Sequence, residues 1–71
     1  MKAQISVQTT GGEWYVGDSV ETEASLEVVD NALEEVCGSK NGYVSLFQEN
    51  DSVKRVFPLA SILQVKREVI E

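Results

Sequence analysis

The feature that most constrains this chain is a change of hydrophobic period. Lys2 to Gln8 alternates strictly, with Ala3, Ile5 and Val7 on one side and Lys2, Gln4, Ser6 and Gln8 on the other. That period of two marks a half-buried strand. Between Thr22 and Cys37 the period becomes helical: Leu26, Val29, Leu33, Val36 and Cys37 share one face. From Gly42 onward alternation returns. A chain patterned this way makes strands, one amphipathic helix and more strands.

The segments between these patterns are turns. Thr10-Gly11-Gly12 reads as a turn, because glycine reaches positive φ without steric cost. Glu13 to Val16 is a second strand, with Trp14 and Val16 on one face and Tyr15 on the other. Gly17-Asp18-Ser19 interrupts it, and Val20 is expected to be the last inward residue before the helix. Thr22 suits the N-cap, and Glu23 and Glu27 suit the positive end of the helix dipole. Gly38 suits the left-handed position after the helix.

Gly42 to Gln48 is the third strand. Val44 and Leu46 point one way, Tyr43 and Phe47 the other, which predicts a central strand or one covered on both sides. Glu49-Asn50-Asp51-Ser52 is a turn signal. Val53 to Phe57 returns as a fourth strand that Pro58 ends, since proline cannot donate to a ladder. After a short turn at Leu59-Ala60-Ser61, Ile62 to Val69 is rich in β-branched residues and reads as a last strand with Leu63 and Val65 inward. Ile62, Val65 and Val69 also fit a short helix. The expected architecture is α+β: a small sheet of four to five strands in the order ββαββ(β), with one helix packed on one face through Val29, Leu33 and Val36.

The layout resembles a small family of uncharacterised actinobacterial proteins. Ile5-Ser6-Val7-Gln8 in the first strand, an acidic helix after the second strand, and Val56-Phe57-Pro58 followed by Ile62 carry the resemblance. The Gly11-Gly12 turn and the Trp14-Tyr15 pair depart from it. The family has no assigned activity, so the resemblance implies a fold and no functional residue.

With 71 residues there is room for one domain. A core of this size is marginal, burying roughly 60% of the unfolded chain's surface. One cysteine excludes an intrachain disulfide, and the absence of histidine argues against structural zinc. A hydrophobic fraction of 42% fits a folded domain, and no apolar run is long enough for a membrane span. Met1-Lys2-Ala3-Gln4-Ile5 has no apolar stretch of a secretory signal, so a cytoplasmic location is expected.

No catalytic pattern emerges. Histidine, the commonest acid–base side chain, is missing. Cys37 reads as a small core residue at the helix C-terminus, where dipole and apolar neighbours raise a thiol pKa and native labelling is expected to be slow. Gly11-Gly12 lacks the Lys-Ser/Thr sequel of a phosphate loop, and Glu49-Asn50-Asp51 lacks the twelve-residue calcium pattern. No cofactor, metal or small-molecule substrate is indicated, and an enzyme is not expected.

Two surfaces stand out instead. Glu23, Glu27, Asp30 and Glu34 form an acidic stripe at i,i+3 and i,i+4 spacings, either a solvated face or a dock for a basic partner. Trp14 and Tyr15 either close the small core or present a binding surface. Lys54-Arg55 and Lys66-Arg67 split across strand faces and make at most a small basic spot. Twelve acidic against six basic residues, net −6, disfavour nucleic acid. The expected function is a non-catalytic protein-interaction or accessory module, partnered by another protein or by a second copy of itself. The alternative is an acidic inhibitor that occupies a nucleic-acid-binding surface on another protein. Small phage-encoded proteins are similar in size and acidity.

Overall fold

The computed structural model describes residues 1–21, 26–39 and 41–70. It is an α+β structure with strands β1 (Lys2–Thr9), β2 (Trp14–Val16), β3 (Val20–Glu21), β4 (Tyr43–Gln48), β5 (Val53–Pro58) and β6 (Ile62–Val69). Helix α1 (Leu26–Cys37) lies between β3 and β4, and a 3₁₀ turn at Leu59–Ser61 joins β5 to β6. The expected start of the helix, with its cap Thr22 and first acid Glu23, falls outside the described residues.

The strands divide into two sheets. In the first, β1 is central, with β6 antiparallel along one side and β2 and β3 antiparallel along the other. The second is the β4–β5 hairpin. The alternation of Lys2 to Gln8 supports the central place of β1: Val7 and Ala3 are buried, and Ile5 packs against the core. The other side of β1 is polar and meets Trp14, Val16, Lys66 and Glu68 across the ladders. At its middle Ser6 is small enough to be shaded by these longer neighbours, and only 3% exposed.

Both sheets contribute to one interior. Val7 of β1, Val44 and Leu46 of β4 and Phe57 of β5 form its centre, with Ile5, Tyr15, Val36, Leu59, Ile62 and Val65 packed around them. The bend at Gly17-Asp18 ties the sheets together. Gly17 N–H donates to Ile5 O in the first sheet (2.9 Å), and Asp18 N–H donates to Phe47 O in the second (2.7 Å). The Asp18 carboxylate accepts the N–H of Asp51 at the hairpin tip (3.0 Å), and Gln48 Nε2 donates to Val16 O (2.8 Å).

The turns follow their local chemistry. Gly12 has φ +92°, the positive value glycine adopts freely. The Glu49-Asn50-Asp51 stretch has three consecutive positive φ values, 54°, 57° and 67°. Asn and Asp tolerate that region, whereas Glu49 is held there against its preference. The Ser52 hydroxyl donates to Glu49 O (2.7 Å), as does the Ser52 N–H (3.3 Å), and this closes the loop.

Several expectations are corrected. Leu63 points outward and is 61% exposed. Gln8 faces Gln64 but Thr9 faces Ile62, so Leu63 is an extra residue on β6. This bulge reverses the alternation, and Ile62 joins Val65 inside. Val20 is also exposed: it pairs with Ala3 near the end of β1 and borders an open hollow beside β4 rather than a packed interior. Strand β4 is neither central nor covered on both sides: it pairs with β5 alone, and Tyr43 and Phe47 are 59% and 45% exposed. Gly38 stays out of the left-handed region. Its N–H bonds to Glu34 O and the Ser39 N–H to Val36 O, so the helix ends by tightening its last turn.

Cys37 is exposed rather than buried. Val29, Leu33 and Val36 line the seam toward the strands, and each further residue turns about 100° around the helix, which carries Cys37 past the edge of β4. No described helix residue is fully buried. The thiol should therefore react with a disulfide reagent in native protein at a rate close to that in denaturant. A rate slowed by orders of magnitude in the native state would contradict this placement.

Candidate functional site

The two surfaces that the sequence singles out do not meet. Trp14 lies on the polar, outward side of the first sheet, 42% exposed. The Lys66 ammonium stands over its ring, 4.9 Å from the centroid, and also pairs with Glu68 at 2.7 Å. Tyr15, one residue on, points inward. Its ring packs 5.2 Å from that of Phe57 at 49°, the Arg55 guanidinium covers it, and its hydroxyl donates to Glu13. Tyr15 thus closes the core, and Trp14, with Val16 beside it, is left as an exposed apolar pair on this face.

The acidic stripe is broken in the middle. Arg67 reaches from the inward side of β6 to Asp30, its Nε donating to Oδ1 at 2.9 Å and its Nη2 to Oδ2 at 2.7 Å. This bidentate pair clamps α1 over the first sheet. The hydrogen bonds from Arg67 hold the Asp30 carboxyl below the usual aspartate range, and the carboxylate raises the Arg67 pKa in return. Glu27 and Glu34 remain on the exposed surface, and Glu23 lies outside the described residues. The sequence could not show the pair, because its partners are 37 residues apart. The strand alternation that separates Lys66 from Arg67 does send one to Trp14 and the other to the helix.

The Asp30 pair has a consequence in acid. A carboxyl whose folded pKa lies below its unfolded one stabilises the fold above the ordinary aspartate range, and that contribution is lost as pH falls through the folded pKa. Asp30→Asn should lower the urea midpoint at neutral pH, and the gap between variant and parent should close as pH falls below the ordinary aspartate range and through the lowered folded pKa. A gap that stayed constant into strong acid would mean that the charge of Asp30 does not support the helix.

A third surface was not evident from the sequence. Helix α1 stands off the edge of β4 and leaves an open groove of about 400 Å³, lined by Ile5, Val28, Val29, Ala32, Leu33, Val36 and residues Tyr43 to Ser45. At one end the groove continues into a hollow bounded by Glu35, Ser39 and Gly42. Beyond Ser45 the same strand edge lines a smaller hollow with Ile5, Gly17, Asp18, Val20 and Phe47. The groove is apolar, and among the described residues its charged neighbours at the two ends are both acids. The signal available in sequence was the composition of Tyr43-Val44-Ser45-Leu46-Phe47-Gln48, which contains neither a charge nor a proline.

Among the described residues no three His, Cys, Asp or Glu side chains gather as a metal site, and no helix is long and apolar enough to cross a membrane. Cys37 is exposed, and the sequence has no histidine to serve as its base. Lys54 sits over Phe47, Arg55 over Tyr15, Lys66 over Trp14 and Arg67 on Asp30, so these four cations are engaged within the fold. No family model, no curated protein and no solved structure matches this chain.

Proposed function

We propose that this chain is a non-catalytic protein-interaction module whose binding surface is the groove between α1 and β4. The observation that supports this is the groove itself: an apolar concavity, open to solvent, that a chain of this size leaves uncovered. Folding alone would favour closing it, since each apolar side chain there still has surface to bury. Trp14 and Val16 are a secondary contact face, on the far side of the first sheet. A cytoplasmic setting is part of the proposal and fits a chain with one unpaired thiol.

The alternative, an acidic inhibitor of a nucleic-acid-binding protein, draws support from the net charge of −6. It is weakened by Arg67, which takes Asp30 out of the acidic stripe. The test is capture of partners from source-cell lysate by the tagged chain and two variants. Ala32→Gln fills the groove with an uncharged side chain that helices accept, and Glu27→Gln with Glu34→Gln neutralises the stripe. Loss of a partner with Ala32→Gln alone supports the groove. Loss with the stripe variant alone supports the inhibitor. Capture of nothing by the parent chain overturns both.

A further inference from the structure

The geometry points to the kind of partner that would fill the groove: we infer that β4 receives an extended, Lys/Arg-flanked peptide as an added antiparallel or parallel strand. This rests on the interaction reading and goes beyond it in naming the binding mode and the ligand chemistry.

The first argument is the state of the strand edge. In an antiparallel pair, alternate residues turn their backbone groups toward the partner strand and the rest turn theirs away. Gly42 O accepts from Leu59 N–H, so the even-numbered residues of β4 face β5. Tyr43, Ser45 and Phe47 then face the other way, toward the groove. Phe47 O is taken by the Asp18 N–H. The N–H and C=O of both Tyr43 and Ser45 point into the groove without a backbone partner among the described residues. Asp18 stops the edge at one end, so the open stretch runs from Phe47 N–H back to Tyr43.

The second argument is contrast with the other edges. Proteins guard exposed strand edges with charges, prolines, bulges or brevity. Strand β5 carries Lys54, Arg55 and Pro58, strand β6 carries Lys66, Arg67, Glu68 and the bulge at Leu63, and β2 and β3 have three and two residues. Strand β4 has six residues and none of these devices. A strand left unguarded beside an apolar helix face is the form that strand addition uses: backbone hydrogen bonds supply affinity and the flanking hollows select alternate side chains.

The third argument is charge. Glu35 borders the groove near Tyr43 and Asp18 borders it near Phe47, and among the described residues no lysine or arginine lines the three hollows along this edge. An extended segment of about five residues spans this distance. It meets an acid at each end, so its flanking residues are basic and its inward residues apolar. A second copy of the chain fits less well. It would bring its own Glu35 and Asp18 to the same ends and add another net charge of −6.

The experiment is selection of a random nonamer display library on the full-length chain at about 0.15 M salt, followed by NMR with the synthetic consensus peptide. The expected consensus has apolar residues at alternate positions between Lys or Arg. At saturation the Tyr43 and Ser45 amides should exchange at least about tenfold more slowly. N-methylation of the peptide amides that face β4 should weaken binding about tenfold or more, while methylation of the intervening amides leaves it unchanged. Ala32→Gln, which does not alter the strand, should also abolish binding. A library that yields no consensus, one with helical i,i+3/i+4 spacing, or insensitivity to N-methylation overturns strand addition. So does a concentration-dependent dimer whose Tyr43 and Ser45 amides are protected without peptide. A helical consensus whose footprint stays in the groove overturns strand addition and leaves the groove reading standing, whereas a footprint on Trp14 and Val16 overturns both, which separates the two failures.

Discussion

Phe57→Ala should cost this protein about 3–5 kcal/mol, the usual range for emptying a buried phenylalanine site. A chain of 71 residues has roughly 4–11 kcal/mol of stability in total, at the usual 0.05–0.15 kcal/mol per residue. The variant should therefore be close to unfolded at ordinary temperature. The reason is its place between the sheets. Phe57 is 9% exposed and lies opposite Val44 on the hairpin, and its ring meets Tyr15 of the first sheet at 5.2 Å. Removing it opens a void where the two sheets join, in a core with few residues able to relax into it. Phe57→Leu keeps most of the apolar volume and should cost clearly less. Urea or thermal unfolding of both variants measures the difference. A loss under about 1 kcal/mol for Phe57→Ala would mean that the sheets do not depend on a shared interior.

The second large effect is expected at Gly42. A Cβ placed there would lie 2.6 Å from Val36 O and 3.0 Å from Leu59 Cδ1. The leucine side chain can rotate away, but the Val36 carbonyl is helix backbone and can move only with the end of α1. Gly42→Ala should cost about 1–3 kcal/mol, as other overpacking substitutions do. It should also raise the last turn of α1 from the start of β4, where the groove opens toward Glu35. The signature is a lower unfolding midpoint together with faster amide exchange in the last helical turn, whereas Ala32→Gln should leave both unchanged. If Gly42→Ala proved neutral, the helix end would not be seated on Gly42, and the width of the groove would have to be set elsewhere.

These two positions differ in how far they could be foreseen. The strand that carries Phe57 was legible, because Val53 to Phe57 lies between the turn at Glu49 to Ser52 and the stop at Pro58, but which of its faces would be inward was not. The need for glycine at Gly42 was not legible, because it depends on how closely the end of α1, at Val36, comes back to the start of β4. The candidate binding residues divide in the same way. Tyr15 turned inward and Trp14 outward as strand alternation requires, but which of the two faces would be covered depended on the hairpin sheet. Asp30 looked like one acid of a stripe, and became the anchor of the helix only when β6 brought Arg67 beside it. Cys37 shared the apolar face of an ideal helix and still ended exposed, since a helix seated at the edge of a short strand covers only part of that face.

The amino-acid pattern by itself determined the α+β class, the order of strands, helix and strands, the turns at Gly12 and at Glu49 to Ser52, and which residues share a face: Ala3, Ile5 and Val7 on β1, and Val44 with Leu46 on β4. These follow from local periodicity and backbone preference, which act over a few residues. The tertiary structure alone decided that β4 would be an open edge, that one extra residue at Leu63 would reverse the faces of β6, and that α1 would stand away from the strands to leave a groove. Each of these depends on which distant segments pair and how closely they approach. That is settled by the balance of packing over the whole chain, and no local pattern encodes it.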